Sequence, residues 1–313
     1  MASVLNLRDF NVESKTVLVR VDINSPLEPK NQEFLDDTRI RAIIPTLNLL
    51  TKSKVVILAH QSRPGKKDFT NTLGHSRELG RVLGRHVKWV DDIHGEKAMK
   101  AIEELKDGEI LMLKNVRMDP EEVSVKGSFE KMAETKLIQR LSSVVDIFVN
   151  DAFACAHRNT PSIVGFTHTL PCVAGELMKL EIDALDVALE NPRRPCIAVV
   201  GGIKVEDSIS IADNMLRKAI ADQIWATGGV ANLLIEYSGV DIGQTNHDFL
   251  VNELGDSYHK TVETAKAMLN DFRDRIMLPT DLAANVENNR VDLRIEELPI
   301  DAPIFDIGIN STM

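Results

Sequence analysis

The sequence predicts an α/β protein of two doubly wound, parallel-sheet (Rossmann-like) domains joined by a helix. Three observations carry this. Short, β-branched apolar runs alternate with segments whose apolar residues recur at helical spacing. The links between them are short, which favours repeated βα units and a parallel sheet. The alternation breaks once, over a Thr-, Pro- and Gly-rich stretch at 160–173 and a helical run that NPRRP (191–195) ends. The expected division is residues 1–173, a connecting helix within 174–195, and 196–313.

The first strand is TVLVRV (16–21), which runs into Asp22, Asn24 and Pro26. Asp36 or Asp37 can cap a helix whose apolar positions are Ile40, Ile43, Ile44, Leu47 and Leu50. Pro45 inside it marks a kink or a first turn. KVVILA (54–59) is a second strand, followed by HQSRPGKK. Helices are expected over 74–83 and 96–105, with a strand at 86–90 between them. EILML (109–113) is the next strand and leads to Lys114, Asn115 and Arg117. A helix over 129–144 then precedes a strand at 146–149, whose exit presents Asn150, Asp151, His157 and Arg158.

A helix over 175–190 carries Met178, Ile182, Leu185 and Leu189 on one face. Strands follow at 196–200, 223–227, 275–278 and 303–307, with helices near 230–237 and 259–272. The segment PIFDIG (303–308) reads as one more parallel strand.

Composition narrows the function. A hydrophobic fraction of 43% and a charged fraction of 27% are those of a globular protein. The net charge of −10 argues against general affinity for nucleic acid or an anionic membrane. Three cysteines without a Cys-x-x-Cys pair suggest neither a disulfide framework nor a zinc knuckle. No run approaches ~18 apolar residues, and Arg8 and Asp9 interrupt any signal-peptide core. The expectation is a cytoplasmic protein with no metal site of its own.

The chemistry lies at strand ends, which parallel sheets place along one edge. Arg20, Arg39, Arg63, Arg117 and Arg158 each sit at a strand end or in the loop or helix after one, and Asp22, Asn24, His60 and His157 occupy equivalent places. A single such Arg is ordinarily a surface ion pair. Five converging in an acidic protein would repel one another unless an anion lay between them. Cys155 suits a small buried hydrophobe better than a nucleophile. In the second half, GGIKVEDS follows a strand, so Gly201 and Gly202 let the backbone approach a phosphate closely. Lys204 lies near the helix N-terminus, a place unfavourable to a cation unless it shares an anion with the amides. Gly228 and Gly229 in TGGVAN repeat the arrangement. Neither segment is a dinucleotide fingerprint or a P-loop.

The ordered motifs VRVDINSP, DDTRIRA, LAHQSRPGKKD, NVR, NDAFACAHR, GELMKLE, GGIKVEDS, ATGGVAN and PIFDIG resemble the phosphoglycerate kinase family in its archaeal style, over nearly the whole chain. The resemblance implies a bilobal, hinge-closing fold and reversible phosphoryl transfer between 1,3-bisphosphoglycerate and Mg-ADP, giving 3-phosphoglycerate and Mg-ATP. It implies a phosphoglycerate site of Arg20, Asp22, Asn24, Arg39, His60, Gln61, Ser62, Arg63, Arg117 and Arg158, with Arg39 nearest the transferred group. It implies nucleotide contacts at Gly201, Gly202, Lys204, Gly228 and Gly229, the Mg²⁺ arriving on the nucleotide.

Three departures from the family pattern stand out. Lys114 replaces a Glu, β-branched Ile203 replaces an Ala beside the phosphate loop, and the sequence stops just after DIG where the family continues. The expectation is therefore an incomplete second domain, weak adenine-nucleotide binding and self-association through an uncovered parallel strand. Two alternatives stay open: a pseudokinase that binds phosphoglycerate only, and a partial chain that needs a partner.

Overall fold

Strand β1 (Thr16–Val21) is buried from Val17 onward on both faces, as a central parallel strand must be. The structure, a computed structural model, describes residues 4–312 except 29 and 191; Asn191 of NPRRP thus lies outside the described residues. With β2 (Lys54–Leu58), β3 (Val87–Trp89), β4 (Ile110–Met112), β5 (Ile147–Asp151) and β6 (Cys172–Ala174), β1 forms a six-stranded parallel sheet of order β3-β4-β2-β1-β5-β6. Its two faces hold separate cores: Val17, Val19, Val55 and Ile57 pack on one side, Leu18, Val56, Leu58 and Phe148 on the other. The register sets Arg20 beside Leu58 on β2 and Asn150 on β5. The exits of β1, β2 and β5 are therefore neighbours.

Two expected helices are each divided in two. The first becomes Thr38–Ala42 and Ile44–Leu49, with Pro45 in the first turn of the second piece, where its missing N–H costs nothing. Asp36, rather than Asp37, accepts the Thr38 N–H. The run 129–144 becomes Phe129–Ala133 and Lys136–Ser142.

The chain forms two compact units, Met1–Ala184 and Leu185–Met313. In the second, β7 (Ile197–Val200), β8 (Gln223–Ala226) and β9 (Ile276–Met277) make a parallel sheet. The helices Val205–Arg217, Gly228–Tyr237 and Tyr258–Phe272 pack with it around Ile209, Leu216, Ile224 and Leu234. Ile224 and Ala226 face that core, but Ile197, Val199 and Trp225 on the other face are 42%, 67% and 45% exposed.

The reading of 303–308 as a parallel strand is wrong. Strand β12 (Ile304–Ile307) pairs antiparallel with β10 (Asp281–Val286), which forms a hairpin with β11 (Asn289–Arg294). Glu287 and Asn288 at the turn both have positive φ, 51° and 64°, the geometry of a tight hairpin connection. Neither residue is Gly, and β11 is mostly polar, so the hairpin carries little sequence signal. The expected apolar face of the helix Glu176–Glu190 is buried at Met178 but open at Leu185 and Leu189. No helix among the described residues is long and apolar enough to cross a membrane.

Candidate functional site

The first unit holds a cleft of about 710 Å³ lined by Arg20, Asn24, Ser62, Arg63, Arg117 and Arg158 from the expected set. These residues come from the exits of β1, β2, β4 and β5. Lys66, Lys126 and His157 also reach the cleft wall, together with the carboxylates of Asp68 and Glu122. The loops are tied to one another by their own side chains. Asn24 Oδ1 accepts the Ser62 N–H at 2.7 Å, Arg117 donates to the Ser62 carbonyl, and Asn115 Nδ2 donates to the carbonyls of Gln61 and Thr70 at 2.8 and 2.7 Å. Ser62 Oγ donates to Asp68 at 2.7 Å.

Asp22 lies beneath the wall. Its carboxylate accepts the Asn24 N–H at 3.0 Å and an ion pair from Arg39, whose side chain is about half exposed. His60 is buried behind Arg20, whose Nη2 sits 3.3 Å from the imidazole Nδ1. Arg has no acceptor, so Nδ1 takes the hydrogen bond and the ring proton lies on Nε2. Burial, and then the charges of Arg20, Arg158 and Arg39, push the His60 pKa down from 6.5 to about 2. His60 is therefore neutral at neutral pH.

Gln61 lies beneath the cleft wall. It is fully buried, its amide nitrogen donates to Ser25 O at 3.0 Å, and its oxygen faces His75 Nε2 at 2.9 Å. Both ends of its amide are thus used inside the protein, where they brace the loop. Cys155 is also buried, and burial pushes its thiol up, away from a nucleophilic thiolate. Asp22, His60 and Cys155 bring ligand atoms within 4.8 Å of one another. The Asp22 carboxylate and His60 Nδ1 are already engaged by guanidinium groups, whose charge opposes a cation there.

Lys66, Lys126 and Glu122 lie outside the residues expected from the sequence. Lys66 stands inside the quoted LAHQSRPGKKD motif, so a signal existed. Glu122 follows an ordinary helix start, Asp119-Pro120, and nothing local marks it as buried.

In the second unit, the turns after β7 and β8 touch. A Cβ on Gly201 would lie 1.9 Å from Thr227 Oγ1, and one on Gly229 would lie 3.0 Å from Gly202 O and 2.9 Å from Val205 Cγ2. Gly202 and Gly228 have φ of +94° and +53°. Both glycine pairs are thus required by the contact of two turns and two helix N-termini, whatever they bind. Lys204 is exposed at the entry to the helix Val205–Arg217. Ile203 is 65% exposed. Lys114 pairs with Asp91 at 2.8 Å.

Residues 7–313 match the family model described as phosphoglycerate kinase. The phosphoglycerate kinase of Methanobacterium bryantii is 46% identical over 305 residues, which are 97% of this chain and 73% of that protein. Phosphoglycerate kinase from Methanothermobacter thermautotrophicus is 45% identical over the same length and shares. The crystal structure of phosphoglycerate kinase from Pyrococcus horikoshii OT3 superposes with a TM-score of 0.86 at 38% identity, covering 98% of this chain and 76% of that chain. This chain therefore belongs to the phosphoglycerate kinase family.

Proposed function

We propose that the basic cleft of the first unit holds 3-phosphoglycerate or 1,3-bisphosphoglycerate, and that the paired glycine turns with Lys204 hold the phosphates of ADP or ATP. The reaction is reversible transfer of the acyl phosphoryl group of 1,3-bisphosphoglycerate to ADP, giving 3-phosphoglycerate and ATP. One observation carries the reading: Arg20, Arg63, Lys66, Arg117, Lys126 and Arg158 crowd one cleft in a chain of net charge −10. Such a cluster is stable when a multiply charged anion sits within it.

The roles follow from position. Arg63, Arg117 and Arg158 offer bidentate donors to the phosphate and carboxylate of the glycerate. Arg39, held over Asp22 but half exposed, is free to turn to the transferring phosphoryl group. In the second unit, two helix N-termini converge at the glycine turns and favour phosphate oxygens there, with Lys204 as the mobile cation. Mg²⁺ enters bound to the nucleotide. No covalent intermediate is required, since placement and charge neutralisation account for most of such a transfer. The open sheet face at Ile197, Val199 and Trp225 supports self-association of this chain.

A coupled assay run in both directions tests the reading. Turnover in each direction, lost on Arg158→Ala with the fold intact, is the expected result. Saturable 3-phosphoglycerate binding without turnover would establish the binding-only alternative instead.

A further inference from the structure

A buried carboxylate lies against the basic cleft, and the hydrogen bonds around it run in one direction. Glu122 is 3% exposed, at the back of the cleft, on the short helix Pro120–Ser124. One of its oxygens accepts the Ser162 N–H at 2.9 Å and the other accepts the Ser162 hydroxyl at 2.7 Å. The hydroxyl in turn accepts from Arg20 Nε at 3.1 Å. Arg20 can only donate, so the Ser162 proton must point to Glu122. Arg20 Nη1 donates to the Val21 carbonyl, and Nη2 to His60 Nδ1 at 3.3 Å. Glu122, Ser162, Arg20 and His60 are each at most 3% exposed, so none of these bonds is readily replaced by water.

We propose that Glu122 is a positioning residue of the phosphoglycerate site: through Ser162 it fixes the Arg20 guanidinium, and through Arg20 it fixes His60 as the Nε2–H tautomer. The consequence is a neutral imidazole presenting a donor, not an acceptor, on its remaining nitrogen. An unrestrained Arg20 would swing toward the anion, and His60 would be free to place its proton on Nδ1, leaving Nε2 as a lone pair. The functional part of this inference rests on the site reading above; the tautomer does not.

The test uses the full chain, ¹⁵N-labelled at histidine, with 3-phosphoglycerate as the probe. Two-bond ¹H–¹⁵N spectra report which ring nitrogen of His60 carries the proton. Wild type is expected to show only Nε2–H. Glu122→Gln and Ser162→Ala are each expected to introduce Nδ1–H and to raise KM for 3-phosphoglycerate about tenfold, with KM for ATP within twofold. Ser162→Thr, which keeps the hydroxyl, restores both. The double variant is no worse than either single one, because both break one chain of bonds. Should Glu122→Gln fail to fold, Ser162→Ala carries the test with no change of charge. An unchanged tautomer in Ser162→Ala overturns the proposal, as does an equal loss for both substrates. A wild-type protein that shows the Nε2–H tautomer yet binds no 3-phosphoglycerate would refute the site reading and leave the relay standing.

Discussion

The side-chain oxygen of Asn24 accepts the backbone N–H of Ser62 at 2.7 Å, and Ser62 holds a left-handed backbone with φ of 54°. This one bond joins the loops after β1 and β2 and aims the segment that carries Arg63. A non-Gly residue in that region is strained, so its partner sustains the conformation. Asn24→Ala is expected to lower stability by about 1 kcal/mol and to weaken 3-phosphoglycerate binding as Arg63 loses its place. Adding Ser62→Gly, which relieves the strain, should recover stability but not affinity. Urea unfolding beside calorimetry separates the two effects.

Arg39→Ala and Arg158→Ala should each weaken 3-phosphoglycerate binding by ~1.5–3 kcal/mol, the range for hydrogen bonds to charged groups. Binding by the parent chain should also weaken as salt rises, since exposed anion contacts are screened. Unchanged affinity of both variants in calorimetry would dismiss a shared anion site.

Two buried histidines set the acid limb of stability. Burial lowers the folded pKa of His60 to about 2 and, for the same reason, that of His75 to about 4, from 6.5. Below about pH 6.5 the unfolded chain takes up protons that the folded chain cannot, so stability falls as pH falls. Each histidine contributes a slope approaching about 1.4 kcal/mol per pH unit. His94 works in the opposite sense, raised by its hydrogen bond to Asp119 at 2.8 Å. Urea titrations between pH 5 and 7 should show the net loss, and His75→Gln should flatten it by about one proton. A His75→Gln curve parallel to the parent would contradict the assignment.

Gly201→Ala should be more costly than the change at an open position. Its Cβ would overlap Thr227 Oγ1, and relief requires the turns after β7 and β8 to part. A loss of roughly 1–3 kcal/mol is expected from overpacking. Gly201→Ala/Thr227→Ser keeps the hydroxyl clash, whereas Gly201→Ala/Thr227→Ala removes it. Only the second pair should recover in thermal melts.

The exposed face of β7 and β8 predicts self-association. Ile197, Val199 and Trp225 present apolar surface on one side of a parallel sheet, a class of sheet ordinarily covered on both. Sedimentation should show a concentration-dependent dimer, and Val199→Lys should shift it toward monomer without loss of melting temperature. A monomer at all concentrations, with Trp225 fluorescence fully quenchable, would refute it.

Much of this protein is settled by local sequence. The run Val17–Val21 can only be a strand buried on both faces, and residues that follow such strands must gather at one sheet edge. That is why Arg20, Asn24, Arg63, Arg117 and Arg158 group at one edge from the sequence alone. The glycines of GGIKVEDS and TGGVAN announced close approach for an equally local reason, the absence of Cβ. What sequence could not assign was direction and depth. Gln61 stands beside His60 in the chain, yet its amide turns inward to Ser25 and His75, because burial there is decided by strands far apart in sequence. Glu122 meets Ser162, and Ser162 meets Arg20, only through packing of segments that are 40 and 142 residues apart, respectively. The hairpin Asp281–Arg294 turned the final strand antiparallel, since pairing partners follow from topology and not from the apolar pattern of one segment. Position along a strand is a property of the chain; the partner of a buried polar group is a property of the fold.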